Sequence, residues 1–198
     1  MPFYPTIGIS GAARAGKDTL CRALIREFKK LNLIASRRSI AGDTVKKDLQ
    51  DLLMQKLNID SFTENNSEKT LIRPLLVEYG KIMRNNTNGR YFIDKFEYSK
   101  NVINIIPDIR YAEYSNDEVF WLKNETKGLL IYLEREEIFD ANETEKINNK
   151  IIKNLADHRI RWGKLNEEDS KEKCLIDSYA REVLSKYLPL IDWTARSL

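Results

Sequence analysis

The chain has 198 residues, enough for a full hydrophobic core in one domain and short for two. Its composition, 42% hydrophobic and 32% charged, fits a soluble globular protein and excludes wholesale disorder. Lys+Arg 33 against Asp+Glu 30 leaves a net charge of +3, too balanced for a nucleic-acid coat or a membrane-surface protein.

In chain order, residues 5–10 form a short apolar run that reads as a buried strand, with no basic stretch and apolar segment of a signal peptide ahead of it. Residues 20–31 carry Leu20, Leu24, Phe28 and Leu31 at helical spacing. Between the two lies Gly11-Ala-Ala-Arg-Ala-Gly-Lys-Asp-Thr19, so the order is strand, glycine-bounded loop, helix. That is the context a phosphate-binding loop of the form G-x-x-x-x-G-K-[ST] requires. Gly11 and Gly16 let the main chain approach a phosphate closely, and the amides of Ala12, Ala13, Arg14, Ala15, Gly16 and Lys17 are placed to form a nest for its oxygens. The helix beginning near Lys17 adds its positive N-terminal end. Lys17 supplies a point charge to the β- and γ-phosphates of ATP, and Thr19 a hydroxyl for Mg²⁺. Asp18 separates the lysine from the threonine, a departure from the strict pattern.

A second strand is expected over 35–41, then a helix over 44–57 with Asp43 as its N-cap. Residues 58–69 read as a mobile polar loop. Residues 70–84 read as a helix with Pro74 near its first turn and with Arg73 and Arg84 on one face. A further helix is expected over 90–98, with Tyr91, Phe92 and Phe96 on its apolar side. The β-branched run at 102–106 is the mark of a parallel strand covered on both faces, and it delivers Asp108 and Arg110 to the strand end where ligands sit in open α/β sheets. Residues 114–124 read as a helix and 129–133 as a fourth strand, with Arg135 just past its end. Residues 136–172 read as a charged, helical, lid-like excursion, with His158 on its surface and Arg159, Arg161 and Lys164 near its turn. Residues 174–177 read as a fifth strand, and 179–191 as a closing helix capped by Ser178, with Ile191 turned inward. Alternation of this kind predicts an α/β fold, a five-stranded parallel sheet with helices on both faces. Cys21 and Cys174 show no metal-ligand spacing and read as core thiols in a reducing compartment. No apolar run approaches the ~20 residues of a membrane span.

Taken together, the 11–19 loop, Gly42-Asp-x-Val-Lys46, Arg73 with Tyr79-Gly80 and Arg84, and Pro107-Asp-Ile-Arg110 resemble the phage and bacterial deoxynucleoside monophosphate kinases, within the wider P-loop nucleoside monophosphate kinase group. By motif order the resemblance covers most of residues 5–135 and the final strand and helix. The adenylate-kinase-like members also carry one residue between lysine and threonine. The resemblance implies a P-loop kinase fold of one domain spanning 1–198, with an acceptor-binding insertion at about 43–100 and a lid at about 136–172. It implies transfer of the γ-phosphoryl of ATP to a (deoxy)nucleoside monophosphate with Mg²⁺. With the balanced charge and the absence of a signal peptide or apolar span, the expected partners are small-molecule nucleotides, neither nucleic acid nor membrane, and the expected place is the cytoplasm (a host's, if the source is viral). A homodimer is left open.

Within that reading, Lys17, Asp108, Arg110 and Arg135 are the expected catalytic residues. The loop from Gly11 to Thr19 together with Arg159 would hold ATP, and Thr19 with Asp18 would serve the metal. Acceptor phosphate oxygens call for forked cations, so Arg73, Arg84 and Arg110 would bind the acceptor, with Asp43 and Lys46 at the pocket edge. Arg135, Arg159 and Arg161 would close over the transferring group, and Tyr79, Tyr91 or Phe92 would stack on the base. For each of these the plain alternative is a surface charge, a capping aspartate or a packed aromatic. A kinase acting on dephospho-coenzyme A or on a nucleic-acid 5′ end, and an ATP sensor without transfer, are the competing functions.

Overall fold

The computed structural model describes residues 5–99, 101–140 and 142–190. Its elements, in order, are β1 (Thr6–Ser10), α1 (Lys17–Lys30), β2 (Ala35–Arg37), α2 (Gly42–Leu57), α3 (Asn66–Asn86), the single turn α4 (Tyr91–Asp94), β3 (Ile103–Ile106), α5 (Glu118–Phe120) running into a π-helical turn (Trp121–Glu125), β4 (Leu129–Arg135), α6 (Glu143–Leu155), β5 (His158–Trp162) and α7 (Ser170–Tyr187), which ends in a 3₁₀ turn (Leu188–Leu190). The five strands are all parallel and lie in the order β2-β3-β1-β4-β5. The sheet and its two helical layers are as the sequence predicts.

Alternation along the central strands decides what each face buries. Ile7, Ile9, Ile105, Ile131 and Leu133 point to the layer made by α1 and α7, where they meet Leu24, Phe28, Ile176 and Val183. Ile106, Leu130 and Tyr132 point the other way, onto Leu49, Phe92, Leu122 and Ile152. Burying a side chain of this size contributes about 1.5–3 kcal/mol, so these two layers supply most of what holds the sheet. On β1, position 8 faces the second layer and is glycine, because a Cβ there would overlap Leu122.

Several expectations are corrected. The fifth strand is His158–Trp162, not 174–177. His158, Ile160 and Trp162 are buried while Arg159 and Arg161 are exposed, the period-2 pattern of an edge strand whose outer face meets solvent. Residues 174–177 belong to α7, where Ile176, Ala180, Val183 and Leu184 form one buried helical stripe. The cap of α7 is Asp169, whose carboxylate accepts the N–H groups of Lys171 and Glu172, and Ser178 lies inside the helix with its hydroxyl donated to Leu175 O. Ile191 lies outside the described residues. Residues 136–172 therefore hold α6, a strand of the sheet and the start of α7, rather than one helical excursion. Ile152 of α6 is fully buried against the core.

Several smaller differences come from side chains that satisfy backbone ends. Asn65 caps α3 through Ser67 and Glu68, starting it before residue 70 and leaving Pro74 well inside. At the start of α2 the Ser39 hydroxyl accepts the Asp43 N–H, so Asp43 itself is a first-turn residue and not the cap. Asp117 caps α5 through Val119 and Phe120, and the helix expected over 114–124 shortens accordingly. The second strand ends at Arg37, and the helix expected over 90–98 is a single turn. His158 is no surface residue. It is buried, its ring edge-on to Tyr187 at 6.1 Å.

Candidate functional site

The carboxyl edge of the sheet is built around the turn that follows β1. Gly11 has φ +140, and a Cβ on it would overlap the Leu133 carbonyl, so the chain leaves β1 pressed against β4. The Ala15 N–H donates to Ala12 O at 3.1 Å, closing the turn. Gly16 has φ +97, and its missing Cβ would lie 2.8 Å from the Trp162 ring. Trp162 lies beneath the loop and donates its indole N–H to Ala15 O at 2.8 Å. The turn is thus fixed from below by the last residue of β5, and α1 starts at Lys17 with no side-chain cap on its first amides. Open amides at a helix N-terminus are an anion site.

Lys17 is buried and folded back on this turn, donating to Gly11 O at 2.6 Å and Ala12 O at 2.7 Å. Burial, and after it the positive charge of Arg110, pull its ammonium down to about 8, while Glu145, Asp18 and Asp108 act in the opposite direction. All four charged groups therefore lie within electrostatic reach of Lys17. The Ala13 N–H of the loop meets a carboxylate, Glu145 Oε1 of α6, at 2.9 Å. Arg135, at the end of β4, donates to Arg14 O at 3.0 Å, and its Nε is buried with no partner among the described residues.

Asp18 is exposed and accepts Arg37 Nε at 2.9 Å, and Thr19 Oγ1 accepts Arg22 Nη2 at 3.2 Å. Asp108 stands past the end of β3. Its carboxylate accepts Ser39 Oγ at 2.8 Å, Ile40 N at 3.1 Å, and Ala41 N and Gly42 N at 3.3 Å. It therefore brackets the β2–α2 connection, spending most of its acceptor capacity there. Among the described residues no group of three His, Cys, Asp or Glu is placed to hold a metal. Thr19, Asp18 and Asp108 are hard oxygen donors, the kind that suits a Mg²⁺ ion drawing most of its ligands from phosphates and water.

The arginines expected to bind an acceptor are divided. Arg110 is exposed, and its guanidinium makes no hydrogen bond or ion pair among the described residues, while its backbone N–H is held by Glu118 Oε2 at 2.7 Å. Arg84 is buried, sandwiched between the rings of Phe92 at 4.6 Å and Tyr111 at 3.8 Å, and paired with Glu118 Oε1 at 2.7 Å. One glutamate thus holds Arg84 with one oxygen and the backbone at Arg110 and Tyr111 with the other. Arg73 is exposed, roughly 16 Å along the helix from Arg84 at 1.5 Å per residue. Asp43 is exposed, and Lys46 lies over the Phe62 ring at 5.1 Å. Arg159 is exposed on β5 in register with Tyr132, three residues before the Arg135–Trp162 pair, which sets it about 10 Å short of the strand end. Arg161 faces Glu136 at 3.7 Å. Phe92 is a core residue, and the hydroxyls of Tyr79 and Tyr91 converge on Asp48 at 3.2 and 3.0 Å.

Lys17, Asp18, Asp108, Arg110 and Arg135 are therefore brought together at one edge, whereas Arg159 and Arg73 stand apart and Arg84 is engaged elsewhere. Glu118, Glu145, Ser39 and Trp162 were not singled out in the sequence. For Glu145 a signal existed, since Asn142 followed three residues later by glutamate marks a helix start. A groove of about 330 Å³ adjoins the loop, lined by Ala12, Tyr132, Arg135, Phe139, Lys146 and Lys150 among others. A separate apolar cavity of about 300 Å³ lies at the opposite, amino-terminal edge of the sheet. No described helix is long and apolar enough to cross a membrane.

No protein-family model and no curated protein sequence matches the chain. Solved structures similar in fold include the APS kinase of Mycobacterium tuberculosis in complex with AMPPNP and APS, 13% identical with TM-score 0.40 over 93% of this chain and 98% of that one. The shikimate kinase of Acinetobacter baumannii in complex with shikimate is 15% identical with TM-score 0.42, over 94% and 97%. The thymidylate kinase of Ehrlichia chaffeensis is 10% identical with TM-score 0.42, over 92% and 100%. Identities this low, with TM-scores below 0.5, bear on neither substrate nor mechanism.

Proposed function

We propose that the chain is an ATP-dependent P-loop kinase and that its acceptor is a nucleoside or deoxynucleoside monophosphate. The observation that supports this most is the meeting of the Lys17 loop, at the end of β1, with the unpartnered Arg110 guanidinium, past the end of the adjacent strand β3. Phosphoryl transfer asks the protein for alignment and charge cover rather than covalent chemistry. The loop amides and the start of α1 receive the donor phosphates. Lys17 exchanges the Gly11 and Ala12 carbonyls for phosphate oxygens, trading partial charges for full ones. The bond from the γ-phosphorus to the ADP oxygen breaks as an acceptor phosphate oxygen forms the new one. Arg110 covers the acceptor charge, and the Arg135 guanidinium, held at Arg14 O, adds positive charge beside the loop. Mg²⁺, when bound, neutralises and orients the phosphates.

The test is ADP release from ATP and Mg²⁺ with each common ribo- and deoxyribonucleoside monophosphate in turn. Strong stimulation by one or a few is expected, and Lys17→Ala is expected to abolish it while circular dichroism stays unchanged. Near-normal turnover in that variant would overturn the donor site. One observation favours a second reading, a different acceptor. Arg84 is committed to Glu118, so fewer arginines face the acceptor than the sequence suggests. Stimulation only by dephospho-coenzyme A or by a 5′-hydroxyl oligonucleotide would move the assignment there, and ATP binding with no stimulation by any acceptor would leave a sensor.

A further inference from the structure

Glu145 sits in the first turn of α6, and its carboxylate accepts the Ala13 N–H of the loop at 2.9 Å. A loop amide of this kind is a donor that the fold aims at an anion, and a carboxylate oxygen presents it with the same chemistry as a phosphate oxygen. The amide has one hydrogen, and two anions at that distance repel one another, so glutamate and nucleotide phosphate cannot both hold it. One turn further along α6, Asn148 is buried, and its side-chain oxygen accepts the Ala112 N–H at 2.8 Å, two residues beyond Arg110. The two side chains are three apart and share a helix face. Helix α6 therefore bridges the turn after β1 and the segment after β3. Its later half is anchored independently, by fully buried Ile152.

We propose that Glu145 is a built-in phosphate surrogate, which latches α6 across the empty loop and must be displaced by the phosphate chain of the incoming nucleotide. The release frees the first turn of α6 from the loop while Asn148 stays on the Arg110 side. The inference rests on the reading of the 11–19 loop as the donor phosphate site.

The test compares wild type, Glu145→Gln and Lys17→Ala in titrations with ATP, inorganic tripolyphosphate and adenosine, with and without Mg²⁺. Neutralising the competing acceptor should tighten ATP and tripolyphosphate about fivefold or more, by removing its repulsion of the phosphates and weakening its hold on the Ala13 N–H, and leave adenosine unchanged. Hydrogen exchange at residues 143–147 should rise when ATP binds wild type and should be intermediate in nucleotide-free Glu145→Gln, whose amide oxygen still accepts the Ala13 N–H but without the charge. Should Lys17→Ala bind ATP as wild type does, the donor-site reading fails, and the latch with it. If Lys17→Ala loses ATP while Glu145→Gln binds no tighter, or binds weaker only when Mg²⁺ is present, the latch is overturned and the donor site stands. An equal gain for adenosine would also overturn it.

Discussion

The charge of Lys17 has a consequence that separates its role from that of a neutral loop residue. Its ammonium is lowered to about 8, by burial first and the Arg110 charge second. The charged form dominates below that value, so affinity for ATP should be flat at neutral pH and fall as pH rises through about 8. Calorimetric titration from pH 6.5 to 9.5 checks this, and Lys17→Ala should flatten the profile. The Arg110 guanidinium is exposed and has no hydrogen-bond or ion-pair partner among the described residues, so removing it leaves no buried charge behind. Arg110→Ala should leave unfolding by urea unchanged and lower kcat/KM for the acceptor by roughly 10- to 100-fold, the size of a charge-assisted hydrogen bond of about 1.5–3 kcal/mol. Unchanged kinetics would remove it from the site. Arg84 differs in kind, because its burial is tolerated only with Glu118 opposite and two rings on its faces.

At the scale of elements, stability at several helix starts depends on single side chains. Asp169 receives two amides of α7, and Asp169→Ala should cost about 1 kcal/mol in urea unfolding. The same residue explains what was and was not legible in the sequence. The loop, its flanking strand and helix, and the β-branched run of β3 were readable because each combines periodicity with a local chemical demand. Residues 174–177 read as a strand in the sequence because a short apolar run has no period of its own, while the better signal, Asp169 with Glu172 three residues on, lies just before it. β5 was missed because Arg159 and Arg161 dilute its hydrophobicity, although the alternation His158, Ile160, Trp162 was there to be seen. Of the candidate site, the loop and the strand-end position of Arg110 are legible in the sequence, because each is local in the chain. Glu118, Glu145 and Trp162 are not, since each reaches the site through tertiary packing across the chain.

For the molecule as a whole, the one histidine sets an acid limit. Burial first, and then the Lys186 charge, hold the His158 imidazole below its ordinary value, with Glu182 opposing. The unfolded chain therefore takes up a proton more readily than the folded one. The stability this group contributes is complete above about pH 6.5 and is lost as pH falls below it. Urea unfolding at pH 7.5 and pH 5 should show a smaller loss for His158→Gln than for wild type.

The contact of Trp162 with the underside of the loop has an optical consequence. Its indole donates to Ala15 and lies against Gly16, whereas Trp121, the other tryptophan among the described residues, is packed in the opposite layer beside Phe96. The emission of Trp162 should therefore change in intensity or wavelength when a phosphate fills the loop, and that of Trp121 should not. The chain carries its own fluorescent reporter of occupancy, silenced by Trp162→Phe and readable without label or coupled enzyme.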